Sequence, residues 1–181
     1  MLKNIASRPA WLKATHVEDI YSVSGCVSET FMNCPYDWKH NGWFFFDSPA
    51  IAYDIALEKG NTAELRLFYY EIFEKQFDGK VWSPIAPEDF PTVVQIPASK
   101  KLLGYDVVTF FGGPVPECSP LSCNSIASEM PVNRHCLLDS FEAAHKFVKS
   151  PILDDAEPGP YRIFAVYGLT DEACSQAKPP L

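Results

Sequence analysis

The stretch "HCLLDSFEAAHKFV", His135 to Val148, echoes an earlier one, "WFFFDSPAIAYDIA", Trp43 to Ala56. Each runs from apolar residues through Asp-Ser into an apolar pattern of helical spacing. Ile51, Ala52 and Ile55 share one face of the first helix, and Ala143, Ala144 and Phe147 share one face of the second. Side-chain oxygens at Asp47-Ser48 and Asp139-Ser140 can accept from the free amides of a first helical turn, so both pairs read as helix starts. Pro49 suits a first turn because it has no amide proton to leave unsatisfied, and Gly60 suits a stop.

Two more stretches recur in the same order. "DIYSVSG" from Asp19 matches "DVVTFFG" from Asp106, and "LRLFYYEIF" from Leu65 matches "YRIFAVYGL" from Tyr161. All four are rich in β-branched and aromatic residues and read as strands. The offset between copies grows from 87 to 92 to 96 residues, as longer loops in the second half would make it. The pattern predicts an internal duplication, each half reading strand, loop, strand, helix, strand. The expected fold class is α+β: a mixed or antiparallel sheet built from two copies, with the helices on one side. A single domain then spans 1–181, with a first repeat over 19–75 and a second over 106–169. Between them, Pro84, Pro87, Pro91 and Pro97 mark an extended connection over 78–104, since proline fixes φ and removes amide donors. The tail 170–181 has no apolar period and reads as loose.

Composition narrows the function classes. A chain of 181 residues that is 47% hydrophobic and 14% aromatic has ample material for a core. The formal charge of −8 repels nucleic acid and anionic membrane and would attract a basic protein partner. No apolar run approaches the length of a membrane span, and "MLKNIASRPAW" is not followed by the apolar segment of a signal peptide. The expected location is the cytoplasm, and the six cysteines are expected as reduced thiols.

Chemistry-bearing residues gather in the long connections of the two halves, where binding and catalysis tend to sit. "PECSPLSCNS", Pro116 to Ser125, is followed by "NRHC" at Asn133, and the counterpart loop carries Tyr36, Trp38 and His40. A metal reading would take Cys118, Cys123, His135 and Cys136. However, adjacent His135 and Cys136 would point to opposite faces of a strand, so no metal or other cofactor is expected. A nucleophile reading takes Cys123 at the opening of a short helix, whose amides would favour the thiolate, with His135 as base and Asn124 or Asn133 as orienting groups. The binding reading takes Glu117, Cys118, Ser122, Asn124 and Arg134 together with Tyr36 and Trp38 as a contact surface. The leading expectation is a small acidic, non-enzymatic binding module of the immunity or inhibitor type, occluding a basic protein. The alternatives are an enzyme using Cys123 and His135, and a small-molecule binder in the cleft between the repeats. Arg66 and Arg162, at matching places in the repeated strands, read as partners of carboxylates such as Glu71 or Glu157, with anion binding as the alternative.

Overall fold

The computed structural model describes residues 2–4, 6–24, 45–58, 65–86, 94–113 and 115–169. Among the described residues the chain folds as α+β, around a five-stranded antiparallel sheet. Strands β1 (Leu2–Asn4), β4 (Leu65–Phe77), β7 (Tyr161–Leu169) and β6 (Lys100–Thr109) follow one another across it. Strand β5 (Trp82–Pro84) folds back on the end of β4. A separate two-stranded ribbon joins β2 (Ala6–Ser7) to β3 (Asp19–Ile20).

Alternate side chains of the central strands enter two cores. Val107, Ile163 and Phe77 point into one, while Val108, Phe164 and Val166 point into the other. The first core is roofed by helix α2 (Pro120–Cys123), a 3-10 turn at Ile126–Ser128 and helix α3 (Phe141–Phe147), through Leu121, Ile126, Ala144 and Phe147. The second is closed by chain outside the sheet and helices: Phe45, Tyr21, Val23 and Leu137. Burial on both faces is why β7 reads as a nearly continuous apolar run and not as a simple alternation. Helix α1 (Pro49–Glu58) packs against β1 and β4, as α3 does against β6 and β7.

Both Asp-Ser pairs start helices. Ser48 Oγ accepts from the Ile51 amide at 3.3 Å, and Ser140 Oγ accepts from the Ala143 amide at 3.1 Å. Pro49 is the first residue of α1. Gly60 and the tail 170–181 lie outside the described residues.

Four expectations are corrected. "HCLL", 135–138, is a turn whose only ladder contact among the described residues is a bridge from Leu138 to Tyr105, because Asn133 organises it. Asn133 Oδ1 accepts from the amides of His135 (2.9 Å) and Leu137 (3.2 Å), its Nδ2 donates to the Leu103 carbonyl (2.8 Å), and Cys136 adopts φ 60°. The segment from Asp106 belongs to a strand that already begins at Lys100. The connection over 78–104 contains β5, which pairs with the end of β4 through a turn in which Asp78 Oδ1 accepts from the amides of Lys80 and Val81, both at 2.8 Å. Finally, Asp19–Ile20 pairs with Ala6–Ser7 in the small ribbon, whereas Asp106 sits in the main sheet, so these two matched segments do not occupy matching places.

The bulge in β6 between Leu102 and Gly104 brings the backbone against the Asn133 turn. Gly104 has φ +149°, and a Cβ there would lie 2.7 Å from Leu137 Cβ and 2.8 Å from the Leu138 carbonyl oxygen. Backbone conformation and contact both demand glycine. Gly104→Ala is therefore expected to cost about 3 kcal/mol in urea unfolding, and an unchanged midpoint would contradict this account.

Candidate functional site

The cysteine-bearing segment is tied to the sheet through Asp106, which is fully buried on β6. Its Oδ2 accepts from Ser22 Oγ at 2.8 Å and from the Val23 amide at 2.7 Å. Its Oδ1 accepts from Ser119 Oγ at 2.6 Å and from the Val107 amide at 2.9 Å. A second layer follows: Ser24 donates from its amide to Ser22 Oγ (3.0 Å) and from its hydroxyl to the Glu117 carbonyl (2.6 Å). Thr109 exchanges backbone hydrogen bonds with Glu117 and Cys118. The result is a packed wall. Cys118 and Ser122 are buried, the latter only 1% exposed, so neither is available to a partner's surface.

Cys123 is half-buried, with Ser24 Oγ and Ser122 Oγ each 3.9 Å from its sulfur. It is the last residue of α2, not its opening, because Pro120 takes the first position and Ser119 precedes it. The expected support of a thiolate by first-turn amides is thus corrected: those amides lie at the other end. His135 stacks on Tyr21 with ring centroids 4.2 Å apart, and its Nδ1 lies 4.0 Å from Asp19 Oδ2. Among the described residues, the thiol and the imidazole have separate surroundings and no hydrogen bond joins them. Cys136, beside His135 in sequence, points into the first core instead. Burial, then the charge of Asp106, pushes its thiol up to about 12. Asn124 Oδ1 is 3.8 Å from Cys118 Sγ. Arg134 pairs with Glu18 at 2.7 Å on the surface, and Glu117 receives the Gly112 amide. Tyr36, Trp38 and His40 lie outside the described residues. No group of three or more His, Cys, Asp or Glu able to hold a metal occurs among the described residues. No described helix is long and apolar enough to cross a membrane.

Two other places expose binding chemistry. The first is the end of the sheet face that α3 leaves uncovered. There Tyr69, Tyr167 and Leu102 stand in one row across β4, β7 and β6. The tyrosine rings are 5.9 Å apart, and Lys100 Nζ lies 4.4 Å and 4.5 Å from their centroids. Lys100 also pairs with Glu71, whose other oxygen accepts from Tyr167 Oη at 2.8 Å. The Lys100 hydrogen bond, reinforced by that from Tyr167, lowers the Glu71 carboxyl below its ordinary range. Desolvation and Glu71 push the Tyr167 phenol up to about 12. Leu102 is 42% exposed.

The second is a half-open cavity of about 290 Å³. Consecutive residues of β4, Leu67 to Tyr70, line it, which places it at the strand's edge between β1 and β5. Phe45 and Ala52 come from around α1, Val94 and Pro97 from the connection, and Phe164 and Leu169 from β7. Most of the lining thus comes from β4 and the approach to α1, with two residues from β7.

Comparison with family models, curated proteins and solved structures finds no match. The site rests on its own geometry.

The sequence reading missed both places. Alternation in "LRLFYYEIF" signals a strand, but which tyrosines meet depends on pairing between residues 98 apart, as for Tyr69 and Tyr167. Arg66 and Arg162, matched in sequence, differ in place. Arg66 is exposed, whereas Arg162 is buried with Nε donating to Gln76 at 3.0 Å and its guanidinium 4.1 Å above Phe110.

Two outcomes follow. Alkylation of the native protein, mapped by mass spectrometry, is expected to modify Cys123 well before Cys118 or Cys136, since both of these are buried and Cys123 is only half-buried. Equal rates at all three would refute the burial order. Burial first, then Arg134, holds the His135 imidazole below its ordinary 6.5, against the upward pull of Asp19 and Glu18. The folded state thus prefers neutral His135. This stability is fully present above pH 6.5 and is lost as pH falls through the lowered folded value, where the unfolded chain binds the extra proton. Urea midpoints should fall less between pH 7.5 and pH 5.5 in His135→Phe than in the parent, and identical pH profiles would refute it.

Proposed function

We propose that this chain is a small acidic binding protein of the immunity or inhibitor type, whose partner is a basic protein. The observation that carries the reading is the sheet face of Tyr69, Tyr167 and Leu102, which no described helix covers, in a chain of formal charge −8. Tyrosines at the centre of an interface supply large contact area with few rotors to freeze, and here Lys100 and Glu71 already fix the rings. The net charge steers a cationic surface toward the molecule, while the aromatic patch sets how long it stays. The docking surface is thereby moved from the cysteine segment, much of which is buried, to the sheet. We also propose an internal duplication, with bounds moved from 19–75 and 106–169 to the strand–helix–strand units β1–α1–β4 and β6–α3–β7. The contact of α1 with both β1 and β4, and of α3 with both β6 and β7, supports this.

The test is capture of a partner by the immobilised protein at low and high salt. Tyr69→Ala and Tyr167→Ala should each weaken binding by about 2 kcal/mol. Added salt should slow association, and Cys123→Ser should leave capture intact. A partner that both tyrosine variants hold as tightly as the parent would overturn the assignment of this face.

A further inference from the structure

Strand β4 is paired along only part of one edge. Gln76 and Phe77 pair with β7 on one side and with β5 on the other, and the Ile85 amide extends the β5 side to the Glu74 carbonyl. At the far end, Leu65, Arg66 and Leu67 pair with β1. Between these ends, Tyr69 to Phe73 have no backbone hydrogen bond across this edge among the described residues. Alternate residues of such a stretch hold out an amide and a carbonyl together, which is a template for another strand.

The cavity of about 290 Å³ lies against this stretch. Its lining takes Leu67, Phe68, Tyr69 and Tyr70 in succession. Neighbouring side chains of a strand leave on opposite faces, so a hollow that touches all four opens along the edge. Ser48, Pro49 and Ala52, at the start of α1, supply another wall. Ile72 and Val94 line it while remaining 41% and 43% exposed, so apolar surface continues to the mouth. A strand edge with an apolar hollow beside it suits an extended peptide: main-chain hydrogen bonds give affinity, and the hollow selects a side chain.

The two faces of the stretch differ. Phe68, Tyr70 and Ile72 lie on the side of the second core, whereas Tyr69, Glu71 and Phe73 lie on the side of the first. An added strand would set alternate side chains against each. Apolar ones match the first set. The second contains the charged residue of the stretch, Glu71, whose side chain is 42% exposed even while it holds Lys100. The nearest cations of β4 stand in its paired ends, Arg66 opposite Lys3 and Lys75 opposite Pro84. With a formal charge of −8 on the chain, the complementary occupant alternates apolar with basic residues.

We infer that this edge of β4 binds an extended segment of a partner protein, which adds as a strand between β1 and β5, places an apolar side chain in the cavity and presents lysine or arginine toward Glu71. The site is separate from the tyrosine face, since Leu102 has no part in it.

The probe is the acetylated, amidated heptapeptide Lys-Val-Lys-Leu-Lys-Val-Lys, titrated calorimetrically into the whole protein. Two derivatives carry N-methyl groups, one on the valine and leucine amides, the other on the amides of the last three lysines. Methylation removes donors and keeps the side chains, and alternate amides of a strand face one edge. One derivative should lose about tenfold in affinity and the other less than about threefold. Equal losses would overturn strand addition. The same peptide with glutamate in place of lysine should bind about fivefold more weakly or worse, and equal affinity would overturn the basic assignment. Ile72→Lys and Val94→Lys, both at exposed positions, should each weaken the parent peptide about tenfold, whereas Leu102→Ala should change it less than about twofold. The reverse order would put the peptide on the tyrosine face and overturn the edge site. Absence of binding at about 1 mM peptide would also overturn it. So would a dimer of the parent in sedimentation that Ile72→Lys abolishes, which would make a second copy the occupant.

Discussion

A single buried carboxylate holds the non-sheet half of this molecule in place. Asp106 sits in β6 with no exposed surface, and two hydroxyls and two amides are directed at it. A charge so placed is costly unless its oxygens are satisfied, and here the donors come from three parts of the chain. Ser22 and Val23 belong to the segment that closes the second core, and Ser119 leads into α2 over the first. The ion therefore does more than satisfy its own desolvation. It fixes where both covers meet the sheet, and removing it would leave buried donors stranded on each side.

The sheet explains why two covers are needed. Neighbouring residues in β6 and β7 enter opposite cores, so neither face of the central strands can be left to water. Helices roof one face only in part. Where α3 ends, the face continues as tyrosines whose rings are apolar but whose hydroxyls and lysine neighbour tolerate water. Exposure there follows from composition: the same row built of leucine and phenylalanine would present a far stickier surface.

Local chemistry was legible in the sequence and long-range placement was not. Ser48 and Ser140 announce their helices because a cap acts within three residues of itself. The strand character of 65–73 and 161–169 is equally local. "HCLL" misleads because its composition suits a strand, while Asn133, a few residues earlier, supplies hydrogen bonds that make a turn cheaper. The thiol of Cys123 was misplaced by one helical turn for a similar reason: Pro120 sets the start of α2 earlier than the serines suggest. The tyrosine row and the cavity depend on β4 lying beside β7, a register that no short stretch encodes. A single aspartate flanked by apolar residues, "YDVV" at Tyr105, was the best available hint of the buried ion, and it gives no indication of which donors will answer it.

The pairing of β4 with β7 also sets a schedule for the ribosome. Tyr70 faces Val166, 96 residues later in synthesis. Until that strand emerges, a 13-residue strand with apolar side chains on both faces has neither its longest neighbour nor its completed cores. Contacts of such sequence separation form slowly, and an unpaired apolar edge invites association with other nascent chains. For this fold, the interval between translation of the two strands is the period in which a chaperone would matter most.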